Sequence, residues 1–133
     1  MKKFAAFLFA SILMLSCCIV TNAALPETIM PLWDNISSME TDIYFSGTDG
    51  TAAADLSGKS GVTEISGTLT VYRKTLLGWR TVGSDSATVE DWIIALSVDF
   101  TGEIEVEYKA VFDVSVTRNG IIETETKTVY RTC

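Results

Sequence analysis

From Ile104 to Val116 every second residue is apolar: Ile104, Val106, Tyr108, Ala110, Phe112, Val114 and Val116. A period of two is the period of a strand, whose successive side chains point to opposite faces. A helix would spread the same pattern around its circumference and could not bury it on one side. Shorter alternations recur along the chain, and no long window sustains a helical period. Threonine and serine are abundant: 16 threonines and ten serines lie among the 110 residues that follow Ala23. With valine and isoleucine, threonine fits a pleated, half-buried surface. The pattern predicts an all-β chain.

Seven strands are predicted, spanning about 39–46, 51–57, 63–74, from Trp79 onward, 91–100, 103–117 and 121–131. In the first, Met39, Thr41, Ile43 and Phe45 share a face. In the third, Ile65, Leu69 and Val71 point inward and Thr68, Thr70 and Tyr72 outward. In the fifth, Trp92, Ile94, Leu96, Val98 and Phe100 align, which places Trp92 in the core. Gly47-Thr48-Asp49-Gly50 and Ser57-Gly58-Lys59-Ser60-Gly61 supply turns. Short strands with frequent turns predict an antiparallel immunoglobulin-like β-sandwich, with a small β-barrel as the alternative. The cysteine–tryptophan–cysteine hallmark of antibody domains is missing, which leaves the strand topology open.

Two registers are open to the last hairpin. A two-residue Asn119-Gly120 loop would set Val116 opposite Glu123 and Val114 opposite Glu125, placing charge on the core face. A three-residue Arg118-Asn119-Gly120 loop sets Val116 opposite Ile122 and Tyr108 opposite Tyr130. The second keeps one face apolar and is the expected register, with Gly120 in the left-handed conformation of a G1 bulge.

The N-terminus has the form of a secretory signal peptide. Lys2 and Lys3 are followed by an apolar run from Phe4 to Leu15, and Thr21-Asn22-Ala23 offers small residues for cleavage. This predicts a signal peptide over 1–23, a lead-in segment over 24–38 and a sandwich domain over 39–133. A membrane span needs roughly 20 apolar residues and no basic stop-transfer cluster follows, so no span is expected after processing. Leu15-Ser16-Cys17-Cys18 matches a lipoprotein box poorly, which makes lipid anchoring the lesser alternative. After cleavage Cys133 is the lone cysteine, and no intramolecular disulfide can form. As the last residue it is expected to be mobile and exposed, open to a disulfide with a second copy. Leu25-Pro26-Glu27-Thr28 only resembles a sortase signal, since Ile29 stands where glycine is required. Asn35-Ile36-Ser37 is a glycosylation sequon, which matters only in a eukaryotic secretory pathway and is frequent by chance.

Several segments together resemble a family of small secreted proteins of Firmicutes whose function is not established. They are Pro31-Leu32-Trp33-Asp34-Asn35-Ile36, the run Gly58-Lys59-Ser60-Gly61-Val62-Thr63-Glu64-Ile65-Ser66-Gly67-Thr68-Leu69-Thr70, Trp79-Arg80-Thr81-Val82, and Asn119-Gly120. The resemblance implies a Gram-positive origin and an immunoglobulin-like domain. It implies no activity and no site residues.

Chemistry is thinly represented. Histidine is absent, which removes His-based triads, His metal sites and imidazole switches. Ten basic and 17 acidic residues give a net charge of -7, so nucleic acid is not an expected partner. Lys59, Lys74, Lys109 and Lys127 fall in a loop or at outward positions, which argues against Ser–Lys catalysis. Glu103, Glu105 and Glu107 would line one outward face, a solvated edge rather than a glycosidase pair. In the expected register Asp113, Glu123 and Glu125 join them. Calcium would suit six such acids, but no loop motif supports it. No catalytic residue, metal or cofactor is therefore assigned. Trp33 is expected to close the sandwich end. Leu76, Leu77 and Trp79 sit at a predicted hairpin tip, where apolar residues either fold back or meet a partner. The expected function is non-enzymatic binding by a secreted protein, to a protein or glycan. The alternatives are a structural envelope component and a small carboxylate hydrolase.

Overall fold

The computed structural model describes residues 32–133, and the predicted signal peptide, with Cys17 and Cys18, lies outside the described residues. Seven strands follow one another: β1 (Ile36–Ser46), β2 (Asp49–Gly58), β3 (Val62–Thr75), β4 (Gly78–Val89), β5 (Ile93–Thr101), β6 (Glu107–Arg118) and β7 (Ile121–Thr132). They form two antiparallel sheets, ordered β1-β2-β5 and β4-β3-β6-β7. This is an immunoglobulin-like sandwich in which the fourth strand pairs with the third, instead of with the fifth as in constant-type domains. The expected barrel alternative falls away, since neither sheet closes on itself.

The inward positions of the alternations make the core. Ile43, Leu56 and Ile94 from one sheet meet Ile65, Leu69, Phe112 and Val116 from the other, all buried. Gly50 faces Phe100 across the β2–β5 pair. A Cβ at Gly50 would lie 2.6 Å from the Phe100 ring, so only glycine leaves room for that phenyl group.

Tyr108 fixes the connection from β5 to β6. It is fully buried, packs on Phe45 and Phe100 with ring centroids 5.6 and 5.2 Å away, and its hydroxyl accepts a 2.9 Å hydrogen bond from the Glu103 N–H. This is the tyrosine corner of immunoglobulin-like folds. It also corrects the expected sixth strand. Residues 103–106 form a loop rather than strand, with Glu105 at φ 68° and Ile104 exposed. Alternation continues through the loop because Val106 still packs on the core.

The last hairpin adopts the other register. Val116 pairs with Glu123, Val114 with Glu125 and Lys109 with Tyr130 around a two-residue Asn119-Gly120 turn. Asn119 (φ 53°) and Gly120 (φ 75°) are both left-handed, the signature of a type I′ turn that matches strand twist. The charge this places on the inward side of β7 is not set against the core. β7 is an edge strand, and its inner face meets β1 and the residues before it. Glu123 accepts hydrogen bonds from the Asp34 and Asn35 N–H groups (2.8 and 3.0 Å), and Glu125 accepts one from the Trp33 indole (3.0 Å). Lys127 donates to the Met39 carbonyl, and Arg131 donates to the Ile43 carbonyl and to Asp42. Lys127 is therefore inward, contrary to the expected outward position. These bonds cap the outer edge of β1, which would otherwise be open to another strand.

Candidate binding surface

Leu76 and Leu77 are the two central residues of the β3–β4 turn, with Thr75 paired to Gly78. The Thr75 hydroxyl donates to the Gly78 carbonyl (2.8 Å) and accepts from the Leu77 N–H (3.3 Å). Gly78 has φ 124°, a conformation other residues resist. The turn is thus locally braced, and neither leucine folds back: their exposures are 105% and 101%. An open hollow of about 1220 Å³ lies between them and Glu105, Val106 and Glu107.

Trp79 parts company with the leucines. Its indole lies on the outer face of the four-stranded sheet, centroid 5.9 Å from the Tyr130 ring and tilted 54° to it. The Lys109 ammonium sits 4.6 Å from the Trp79 centroid and 5.1 Å from that of Tyr72. Register explains the meeting: Thr81, Tyr72, Lys109 and Tyr130 form one row across β4, β3, β6 and β7. Each cation–ring contact is worth on the order of 0.5–1 kcal/mol at an exposed site. Tyr72, Lys109 and Tyr130 were not among the expected site residues. The wrong hairpin register had set Tyr108, a buried residue, opposite Tyr130.

Two other cations at this end, Arg73 and Lys74, are engaged by carboxylates, whereas Arg80 lines the hollow beside Leu76 and Leu77. Arg73 forms a two-pronged pair with Glu103 (2.6 and 3.0 Å), and this hydrogen bonding raises the guanidinium pKa above its ordinary value. Lys74 pairs with Glu107 at 3.5 Å. Glu103 and Glu107 thus face basic groups instead of each other across a shared cleft. The expected six-acid face does not assemble. Glu107 and Asp113 point outward, Glu123 and Glu125 hold the lead-in segment, and Glu103 and Glu105 lie in the corner loop.

The expectations for Trp92 and Cys133 change, and the sequon acquires a structural setting. Trp92 is 54% exposed, because the alternation of β5 runs one step past the end of the strand into the bend before it. Asn35 is buried, and its amide nitrogen donates to the carbonyls of Val116 and Ile121, so the folded sequon offers no free amide. Cys133 is held rather than mobile. Its N–H donates to the Val106 carbonyl and its carbonyl accepts from the Glu105 N–H, both at 3.0 Å. Its half-buried sulfur lies 3.5 Å from the Gly47 carbonyl oxygen. Trp33 packs against the core. Among the described residues no helix is long and apolar enough to cross a membrane.

No protein-family profile matches the chain. No curated protein matches it in sequence. Among solved structures it is similar to part of the β-glucuronidase of Parabacteroides merdae, at 11% identity over 70% of this chain and 13% of that one, with a TM-score of 0.47. It is also similar to the Bacillus subtilis sporulation control protein Spo0M, at 15% identity over 74% of this chain and 49% of that one, with a TM-score of 0.38. A protein of Arabidopsis thaliana determined in solution shows 8% identity over 83% of this chain and 89% of its own, with a TM-score of 0.41. No activity or site is carried over from them.

Proposed function

We propose that the chain is a secreted, non-enzymatic binding module acting at or beyond the surface of a Gram-positive cell. It engages its ligand through the end of the sandwich that carries Leu76, Leu77 and Trp79. The observation that supports this most is the full exposure of two adjacent leucines on a braced turn. Burying a leucine side chain contributes about 1.5–3 kcal/mol, a gain that at this position only a partner can supply. A turn held before binding also loses little conformational freedom on association. The apolar run and cleavage residues at the N-terminus support export.

The test uses the secreted protein, expected to begin at Ala24, mixed with envelopes of the producing cells. The wild type should sediment with them, and Leu76→Ser with Leu77→Ser should stay in solution with an unchanged melting temperature. Sedimentation that does not depend on the leucines would favour the structural envelope role. No association at all would overturn the proposal. A disulfide between two copies through Cys133, part of the same proposal, requires the sulfur to leave Gly47. It is read on the same material by non-reducing electrophoresis, as a dimer band that Cys133→Ser removes.

A further inference from the structure

We infer that the outer face of the four-stranded sheet binds a carbohydrate chain carrying negative charge, a pyranose polymer with carboxylate or sulfate groups. The inference deepens the binding reading and rests on it, and it assigns the chemistry of the ligand. Its starting point is Lys109. Lys59 and Lys127 donate to the carbonyls of Trp33 and Met39, and Lys74 is paired with Glu107. Lys109 has neither a carboxylate nor a carbonyl partner among the described residues. It is held between the Tyr72 and Trp79 rings. An ammonium positioned in this way retains donors for an anion, and charge-assisted bonds to a carboxylate or sulfate are the strong kind.

The surroundings favour a sugar over a simple ion. Tyr130, 55% exposed, offers apolar ring surface beside the charge, and the half-buried Trp79 ring, with Lys74 and Lys109 6.0 and 4.6 Å from its centroid, adjoins it. Sugar rings have apolar faces that stack on such surfaces and hydroxyls that need polar partners. Those partners continue along the sheet. The next row across it reads Ser84-Thr70-Val111-Thr128. Hydroxyls donate and accept, as a polyhydroxylated chain requires. The acids of the face do not cancel Lys109. Glu107 is paired with Lys74, and Asp113 accepts from Thr126. Asp113 lies four residues along the strand, roughly 13 Å away at about 3.3 Å per residue, beyond a Debye length at physiological salt. Without Lys2 and Lys3 the secreted protein has eight basic and 17 acidic residues, a net charge of -9 that is spread over the chain and screened beyond a Debye length.

The test is affinity electrophoresis of the full-length secreted protein through gels containing alginate, dextran sulfate, neutral dextran or polyglutamate. Retardation by alginate, dextran sulfate or both, but not by dextran or polyglutamate, is the expected result. Retardation by alginate alone assigns a uronate, and by dextran sulfate alone a sulfated glycan. Lys109→Met keeps the packed stem and Trp79→Ala removes the ring. Each should weaken binding by about tenfold or more, with the circular dichroism spectrum of Lys109→Met at 25 °C unchanged. Equal retardation by polyglutamate, unchanged binding by Lys109→Met, or no retardation by either charged glycan would overturn the inference. Envelope association that still depends on Leu76 and Leu77 would then leave the binding reading standing without its glycan.

Discussion

Gly120, with φ 75°, holds the second position of the Asn119-Gly120 turn and has no neighbour within 4 Å of where a Cβ would stand. Space therefore does not select glycine there; backbone conformation does. A β-branched residue in the left-handed region is strained by roughly 1–2 kcal/mol. Gly120→Val should lower the melting temperature by about 4–8 °C for each kcal/mol in a domain near 100 residues. An unchanged melting curve would contradict the turn geometry. The positive φ at Gly120 was readable from the Asn-Gly pair, but the choice between two loop lengths was not. The charges on β7 argued against the true register only because their partners, the backbone N–H groups of Asp34 and Asn35, belong to a segment with no strand pattern of its own. Burial of Asn35 and the role of the Tyr108 hydroxyl were not legible for a similar reason: the Asn35 amide is held by two carbonyls more than 80 residues away and the Tyr108 hydroxyl by the Glu103 N–H of the corner loop, contacts that leave no periodicity.

At the level of elements, the two sheet edges on one side of the sandwich are joined by charged side chains. β7 reaches β1 and its lead-in through Glu123, Glu125, Lys127 and Arg131. Hydrogen bonds to charged groups contribute about 1.5–3 kcal/mol, and solvent exposure at Asp34 sets the lower end of that range here. Glu123→Ala should therefore remove hydrogen-exchange protection from Asp34 and Asn35 while leaving the amides of β3 and β6 protected. Equal protection in the variant would show that the lead-in is held by something else. The strands themselves were legible because inward positions in β3, β5 and β6 are apolar without interruption. β6 was drawn too long because the corner loop keeps the alternation while losing the pairing, as Ile104 and Glu105 show.

At the largest scale, residues 32–133 form a sandwich whose β3–β4 end is apolar at the tip and aromatic on the adjoining sheet face. The tip was visible in the sequence as Leu76-Leu77-Gly78-Trp79. The aromatic slot was not, because it draws one residue from each of four strands and needs every register to be right. Tyr72 was expected to face outward and does, yet nothing local connects it to Lys109, Trp79 and Tyr130. The central claim is that this face, and no other aromatic surface of the molecule, meets the ligand. The three tryptophans make that claim measurable in one spectrum. Trp33 is tied to Glu125, Trp92 lies in the bend before β5, and Trp79 lies beside Lys109. In a nitrogen-15 spectrum of the secreted protein titrated with alginate or dextran sulfate, the Trp79 indole signal should move or broaden while those of Trp33 and Trp92 hold their positions. Movement of the Trp92 or Trp33 signal with Trp79 unmoved would contradict the account.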